Sequence, residues 1–165
     1  MQNTILILIS LLFVTGISEG KEVSYLQDRN GIKYEVNSDI GFTGKYVTYY
    51  KNGPKREIVN FKDGLEKGLA IGWYKNGQNN SVLNFKNGEL DGLQSTWYRN
   101  GQKESETNYK NGKEDGLQYL WYENGQKKFE INFKDGKEDG LCTWWTENGL
   151  KIREGKFKNG KEIDP

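Results

Sequence analysis

Three kinds of polar side chain recur in this chain at intervals of 24 residues, and together they could bind a repeating ligand. They are Tyr50, Tyr74, Tyr98 and Tyr122, then Asn84, Asn108 and Asn132, and finally Lys86, Lys110 and Lys134. Because side chains alternate along a strand and the period is even, equivalent residues share one sheet face, about 9.5 Å apart if two strands separate them. Such a row of rings, amides and amines predicts a surface for a glycan, an envelope polymer or the acidic edge of another protein.

The same columns also have a structural interpretation. Duplication copies residues whether or not they are used, tyrosine packs well on a sheet surface, and amide ladders stabilise neighbouring strands. Asparagine is a poor strand residue, so its recurrence within strands needs a reason in either case. The sequence leaves both interpretations open.

Residues suited to catalysis or metal binding are scarce. The chain has no histidine, which excludes histidine-based triads, general bases and metal ligands. Its one cysteine, Cys142, is expected to be buried as a small hydrophobe. Acidic pairs at Glu114-Asp115 and Glu138-Asp139 lack the alternating spacing of calcium loops and follow lysines, so they are interpreted as solvated turn charges. We therefore predict a protein that is not an enzyme and uses no metal or cofactor.

Glycines with the same period define the elements that must position these columns. Asn-Gly pairs form the first series, ending at Gly53, Gly77, Gly101, Gly125 and Gly149. Asn-Gly and Asp-Gly pairs form the second, ending at Gly64, Gly88, Gly112, Gly136 and Gly160. A third series, in other contexts, is Gly44, Gly68, Gly92, Gly116 and Gly140. The paired residues suit two-residue type I′ hairpin turns, in which both central positions take positive φ.

Such turns predict an all-β fold. They leave strands of about seven to nine residues, and consecutive strands joined by short turns form an antiparallel meander. The expected architecture is an elongated, twisted antiparallel meander of β-hairpin repeats with a 24-residue period and about ten strands.

Large apolar side chains concentrate at odd positions, as Leu93, Trp97 and Tyr109 illustrate. Even positions are mostly polar. This alternation predicts a one-sided sheet whose apolar groups share a single face. We expect the sheet to curl so that these aromatics pack on those of adjacent hairpins. A single layer with solvent on both sides is the alternative.

The first 20 residues differ from the repeats. Residues 5–17 form an apolar run too short for a membrane-spanning helix, and Ser18 and Gly20 fit a signal-peptidase site before Lys21. We predict a signal peptide over 1–20, a capping segment over 21–44 and five repeat units over 45–165. An uncleaved N-terminal anchor is the alternative. With 24 basic and 23 acidic residues, nothing predicts binding to nucleic acid.

The repeats resemble a known family. The segments WYKNGQNNSVLNFKNGELDGL (73–93), WYRNGQKESETNYKNGKEDGL (97–117) and WYENGQKKFEINFKDGKEDGL (121–141) are similar to MORN-repeat variant proteins of the YwqK type. The resemblance covers about residues 25–162 and implies an array of β-hairpins without established catalytic residues. It also implies association with proteins or membranes, and members are often labelled as antitoxins of bacterial toxin–antitoxin pairs.

The functional prediction combines these observations. We expect an exported protein, periplasmic, at the cell surface or secreted, that acts as a protein-binding or scaffolding module at the cell envelope. One alternative is a carbohydrate- or envelope-polymer-binding module that uses the tyrosine column. A further alternative is an antitoxin-like or membrane-associating repeat protein.

Overall fold

Short strands and tight turns make up most of the described chain. The computed structural model describes residues 21–51 and 53–163, and the predicted signal peptide lies outside them. Over these residues there is no helix that is both long and apolar enough to cross a membrane. The strands are β1 (Glu22–Val23), β2 (Gln27–Arg29), β3 (Ile32–Tyr34), β4 (Gly44–Tyr49), β5 (Lys55–Lys62), β6 (Leu65–Trp73), β7 (Asn79–Lys86), β8 (Glu89–Leu90), β9 (Gly92–Trp97), β10 (Lys103–Lys110), β11 (Lys113–Trp121), β12 (Lys127–Lys134), β13 (Lys137–Trp145), β14 (Lys151–Lys158) and β15 (Lys161–Ile163).

One long sheet contains 13 of these strands. From β4 to β15 every pairing is antiparallel and follows chain order, with the short β8 beside β7. Ten of the strands, β4–β7 and β9–β14, have six to nine residues, so the predicted meander of about ten strands is confirmed. At the first edge β1 pairs in parallel with β4, while β2 and β3 form a separate hairpin.

The second glycine series forms the two-residue turns that the sequence predicts. Asn111 and Gly112 have φ of 49° and 74°, and the flanking Lys110 and Lys113 face each other across the hairpin. Equivalent positive φ values occur in the other turns of this series, at Asp63, Asn87, Asp135 and Asn159. Asparagine and aspartate tolerate this left-handed conformation better than other side chains.

The first glycine series forms a different turn, and its prediction as type I′ is wrong. Gly101 has a φ of 86°, but Asn100 does not take positive φ. The N–H of Gly101 donates to the Tyr98 carbonyl at 2.9 Å, and the N–H of Tyr98 donates to the Gln102 carbonyl at 2.8 Å. The loop therefore has three residues and ends in a left-handed glycine, as in a type I turn followed by a bulge. The Asn100 side chain also accepts the N–H of Gln102 at 2.9 Å.

Opposed residues of neighbouring strands differ in parity, so odd numbers do not mark one sheet face as predicted. Lys110 lies opposite Lys113 across a two-residue turn, and a bulge restores the same relation after a three-residue loop. Thr96 lies opposite Ser105, whereas Trp97 lies opposite Lys103, so the second strand carries a bulge. Directly opposed residues share a face. Odd residues of one strand therefore share a face with even residues of the next. The prediction of a single apolar odd face is wrong, and both faces carry large side chains.

The two faces can be named by their recurring residues. The glycine face pairs the third glycine series with an aromatic of the next strand: Gly44 with Phe61, Gly68 with Phe85, Gly92 with Tyr109, Gly116 with Phe133 and Gly140 with Phe157. The leucine face carries Leu69, Leu93, Leu117 and Leu141, and, four residues further along each strand, Trp73, Trp97, Trp121 and Trp145. A glycine opposite an aromatic lets the ring cover bare backbone, which accounts for the third series.

The main apolar core lies at the first strands of the glycine face. Phe42 is 2 % exposed and clusters with Val59, Phe61 and Ala70, and Leu26 packs against them. The N-terminal residues therefore cover this end of the sheet. The extensive contacts of each described strand are with its hydrogen-bonded neighbours, and the sheet order runs openly from β1 to β15. The described residues thus form the single-layer alternative, and the curled packing of aromatics on one face is not found.

Candidate binding surfaces

The tyrosine column connects successive repeats through its hydroxyl groups. Each hydroxyl donates to the carbonyl of a tryptophan 23 residues later: Tyr50 to Trp73 at 2.7 Å, Tyr74 to Trp97 at 2.6 Å, Tyr98 to Trp121 at 2.8 Å and Tyr122 to Trp145 at 3.0 Å. These phenols are partly buried, and burial raises the pKa of Tyr98, with smaller contributions from Glu104 and Glu123. The polar atoms that suggested a ligand site are therefore engaged by the protein's own backbone.

The asparagine column has an equally local role. The side-chain amide of Asn84 donates to the Leu93 carbonyl at 2.7 Å, and that of Asn108 donates to the Leu117 carbonyl at 3.2 Å. The Asn132 amide likewise donates to a carbonyl of the following strand, that of Asp139. Each bond lies where the strand register shifts after a two-residue turn. The amides thus stabilise backbone irregularities, which explains asparagine in these strands.

The lysine column lies at the other edge of the sheet. Lys86, Lys110 and Lys134 are exposed strand ends beside the two-residue turns. The tyrosines precede the three-residue loops, and β10 runs from one edge, at Lys103, to the other, at Lys110. Seven residues of extended strand separate the two edges by roughly 23 Å. The structure therefore does not bring the tyrosine and lysine columns together in one site.

The aliphatic side chains of the leucine face form a surface that sequence reasoning missed. Leu69 and Leu93 are each 45 % exposed, Leu117 is 39 % exposed and Leu141 is 53 % exposed. The four tryptophans of the same face are partly buried. The sequence feature that indicates this surface is a leucine directly after each of the last four glycines of the third series. It was misread because all odd positions were assigned to one packed face.

Charges on the leucine face neutralise each other. Lys103, Lys127 and Lys151 each form an ion pair with the glutamate three residues later, Glu106, Glu130 and Glu154, with a distance of 2.7 Å for the middle pair. The hydrogen bond from Lys151 lowers the pKa of Glu154. Two of these lysines lie over rings: Lys103 Nζ is 5.9 Å from the centre of the Trp121 ring, and Lys127 Nζ is 5.3 Å from that of Trp145. The face is thus apolar and close to neutral.

Concave sites elsewhere are shallow. A cleft of about 360 Å³ between two three-residue loops is lined by Tyr74, Lys75, Asn76 and Arg99. In the chain outside residues 1–20, 52 and 164–165, no group of three histidine, cysteine, aspartate or glutamate side chains is arranged to hold a metal ion. Cys142 is fully buried, as predicted, and burial raises the pKa of its thiol.

Each repeat is closed by a hydrogen bond between a turn and the preceding hairpin. The N–H of Gly64 donates to the Phe42 carbonyl at 2.8 Å, and equivalent bonds join Gly88 to Glu66, Gly112 to Leu90, Gly136 to Glu114 and Gly160 to Glu138. These five bonds recur every 24 residues and define five structural units that begin at equivalent positions. Each unit contains two strands and the three-residue loop between them.

Comparison with known families identifies these units. The family model described as the MORN repeat variant matches residues 42–63, 90–111 and 114–135. Each matched segment starts at a carbonyl of the closing hydrogen bonds and ends just before the glycine that donates to it. A search of curated proteins found no match. The chain therefore contains repeats of the MORN repeat variant family.

Proposed function

We propose that this protein is an exported, non-enzymatic repeat scaffold that binds protein through its leucine face. The single observation that carries the proposal is the row of leucines, each exposed by 39–53 % at the same position of successive units. Exposed apolar rows are costly to leave in water and mark interaction sites when they are contiguous. Here the partly buried tryptophans beside them extend the apolar surface.

The charge pattern favours a protein partner over an anionic membrane. Adhesion to anionic lipid requires basic groups that can approach the headgroups. On this face the lysines at 103, 127 and 151 already pair with glutamates. Half-buried aromatic side chains around exposed aliphatics, with charges at the margin, resemble the composition of protein interfaces.

The glycan alternative has less support. Its supporting feature was the tyrosine column, and those hydroxyls donate to backbone carbonyls within the sheet. Ring faces could still stack on sugars, so retention on peptidoglycan or polysaccharide remains a direct test. Loss of retention in a Tyr74→Ala, Tyr98→Ala double variant that stays folded would favour the glycan alternative.

Export rests on the sequence of residues 1–20 and gains support from the start of the fold. The predicted cleavage site directly precedes Lys21. The carbonyl of Lys21 accepts the N–H of Lys45 at 2.8 Å, and its side chain pairs with Glu35. A chain cut before Lys21 would keep these contacts of the capping segment. Mass spectrometry of the protein from its native host should find Lys21 at the N-terminus, and intact residues 1–20 in the cytoplasm would contradict export.

The binding proposal is tested with matched charge variants. Leu93→Asp with Leu117→Asp places two carboxylates in the middle of the leucine face. Ile40→Asp with Leu150→Asp adds the same charges at exposed apolar residues outside it, which are 81 % and 64 % exposed. We expect a stoichiometric protein chain, of the same or a different sequence, to cross-link to the wild type and the control but not to the face variant. Equal cross-linking of all three proteins would refute the proposal.

A further inference from the structure

We infer that the partner of the leucine face is a second copy of this chain, stacked face to face as a two-fold dimer. The inference rests on the proposed function, because it names the occupant of the same surface. Three observations carry it: the period of the row, its charge balance and its area.

The period favours a partner built in the same way. Successive leucines are two strands apart, so the row repeats about every 9.6 Å and spans about 29 Å from Leu69 to Leu141. A partner with another spacing would meet one or two leucines and leave the rest exposed. A second copy presents the same period and the same residue type along the whole row. A two-fold axis lying between the sheets keeps the two rows in step in either relative direction.

Self-association requires a surface that does not repel its own copy. Within the patch, Lys103, Lys127 and Lys151 meet this condition because each is paired locally, and the exposed Lys156, opposite Leu141, lies at its end. Lys127 lies 2.7 Å from Glu130, and the corresponding pairs at 103 and 151 repeat the arrangement. Asn84 and Asn108, which share this face, are neutral and donate to backbone. Between the leucine and tryptophan rows, two such faces therefore bring paired rather than uncompensated charges together, and Lys156 stands only at the end of the patch.

The area is adequate for a specific dimer. From β6 to β13 and the adjoining β14, eight strands present the leucine and tryptophan rows. At the usual strand spacing and rise this patch is roughly 38 Å by 17 Å. Two copies would bury about 1,300 Å², which lies within the range of stable interfaces. Aligned stacking of two sheets about 10 Å apart is also a common packing geometry.

The glycine face is less suited to the same role. Its first strands are already covered by the N-terminal segment, where Phe42 is 2 % exposed against Phe61. Two copies stacked on that face could not align along their full length. The part of the leucine face that carries the row has no such cover, since its leucines stay exposed from Leu69 to Leu141. The second copy is therefore assigned to the leucine face.

Sedimentation velocity of the purified full chain from about 1 to 100 µM tests the inference. The wild type and the Ile40→Asp, Leu150→Asp control should be dimeric, whereas Leu93→Asp with Leu117→Asp should weaken dimerisation by about 100-fold or more. Because all three chains keep residues 1–20, association through that apolar run would persist in the face variant and would overturn the inference. A dimer held by apolar contact should also survive 0.5 M NaCl, and one that dissociates there would overturn it.

Two further measurements distinguish loss of dimerisation from loss of folding and from binding to a different partner. Leu93→Asn with Leu117→Asn introduces a residue that already occurs on this face, and should weaken the dimer while keeping the wild-type circular dichroism spectrum. A monomeric wild type at 100 µM overturns the inference outright, as does binding of monomers to anionic vesicles through this face. If the monomer instead binds a different protein that the face variant fails to bind, the inference falls and the proposed function stands.

Discussion

At the scale of single residues, the tyrosine hydroxyls act as fixed links between neighbouring units. Tyr98→Phe removes the bond of 2.8 Å to the Trp121 carbonyl and keeps the ring. We expect the free energy of unfolding to fall by about 0.5–1.5 kcal/mol, the usual net contribution of one such bond. Urea denaturation measures it. Tyr25→Phe is the control, since Tyr25 is 64 % exposed, and equal effects of both substitutions would contradict the linking role.

The loop glycines can be tested within one series. Gly101 has a φ of 86°, in the left-handed region, whereas Gly53 does not take positive φ. Gly101→Val should therefore cost about 1–3 kcal/mol, because a β-branched side chain resists this conformation. Gly53→Val should cost clearly less, since a Cβ there meets Tyr50 Cβ at an ordinary 3.5 Å. Melting temperatures that fall equally in both variants would argue against backbone strain as the cause.

At the scale of elements, the period sets which deletions the sheet tolerates. Removing residues 93–116 joins Gly92 to Leu117 and deletes one complete unit. The Tyr74 hydroxyl would then meet the Trp121 carbonyl in place of that of Trp97, so the links between units form again. We expect this variant to keep a cooperative melting transition by circular dichroism.

Deleting half a unit is the matched comparison. Removing residues 93–104 takes out one strand and one three-residue loop, so every later two-residue turn moves to the opposite edge of the sheet. The tyrosines and the carbonyls they bond no longer face each other. We expect loss of the cooperative transition. If both deletions abolish folding equally, the 24-residue unit is not the structural unit on which the stability of the sheet depends.

Turn positions and strand directions were predictable, because Asn-Gly and Asp-Gly pairs mark hairpins wherever they occur. Loop length was not. The same dipeptide serves a two-residue turn at Asn111-Gly112 and a three-residue loop at Asn100-Gly101. The extra loop residue is compensated by a bulge opposite Trp97, so opposed residues differ in parity here as they do at the two-residue turns. The tyrosine and asparagine columns were visible in the sequence, but the carbonyls that they bond depend on that register.

At the scale of the whole molecule, the absence of histidine simplifies the response to pH. We expect the free energy of unfolding to be flat between about pH 5 and 8. The hydrogen bond from Lys158 lowers the pKa of Asp139, so the stability from this pair is present above the unfolded pKa and is lost as pH falls through about 4. Urea denaturation across this range measures it, and a transition near pH 6.5 would contradict the prediction.

At alkaline pH the free energy of unfolding falls for the opposite reason, because groups lose protons instead of gaining them. Burial raises the pKa values of the Cys142 thiol and the Tyr98 phenol. The unfolded chain therefore loses these protons first, and stability falls as pH rises above about 8.5 for the thiol and 10 for the phenol. Cys142→Ala should shift the onset of this loss to higher pH, as measured in the same denaturation series. An unchanged onset would exclude the thiol as its cause.

An open, single-layer array should also be unevenly stable along its length. Each unit packs only against its neighbours, and only the first unit is covered by the N-terminal segment. Hydrogen exchange should be slowest in β5 and β6, beneath Phe42, and fastest in β14 and β15, whose residues are mostly exposed. Phe42→Ala should cost about 3–5 kcal/mol and flatten this gradient. Phe157→Ala, which removes a ring 6.0 Å from Trp144, should speed exchange only in β13–β15. Slowest exchange at the C-terminal strands would mean that the N-terminal cover does not set the stability of the array.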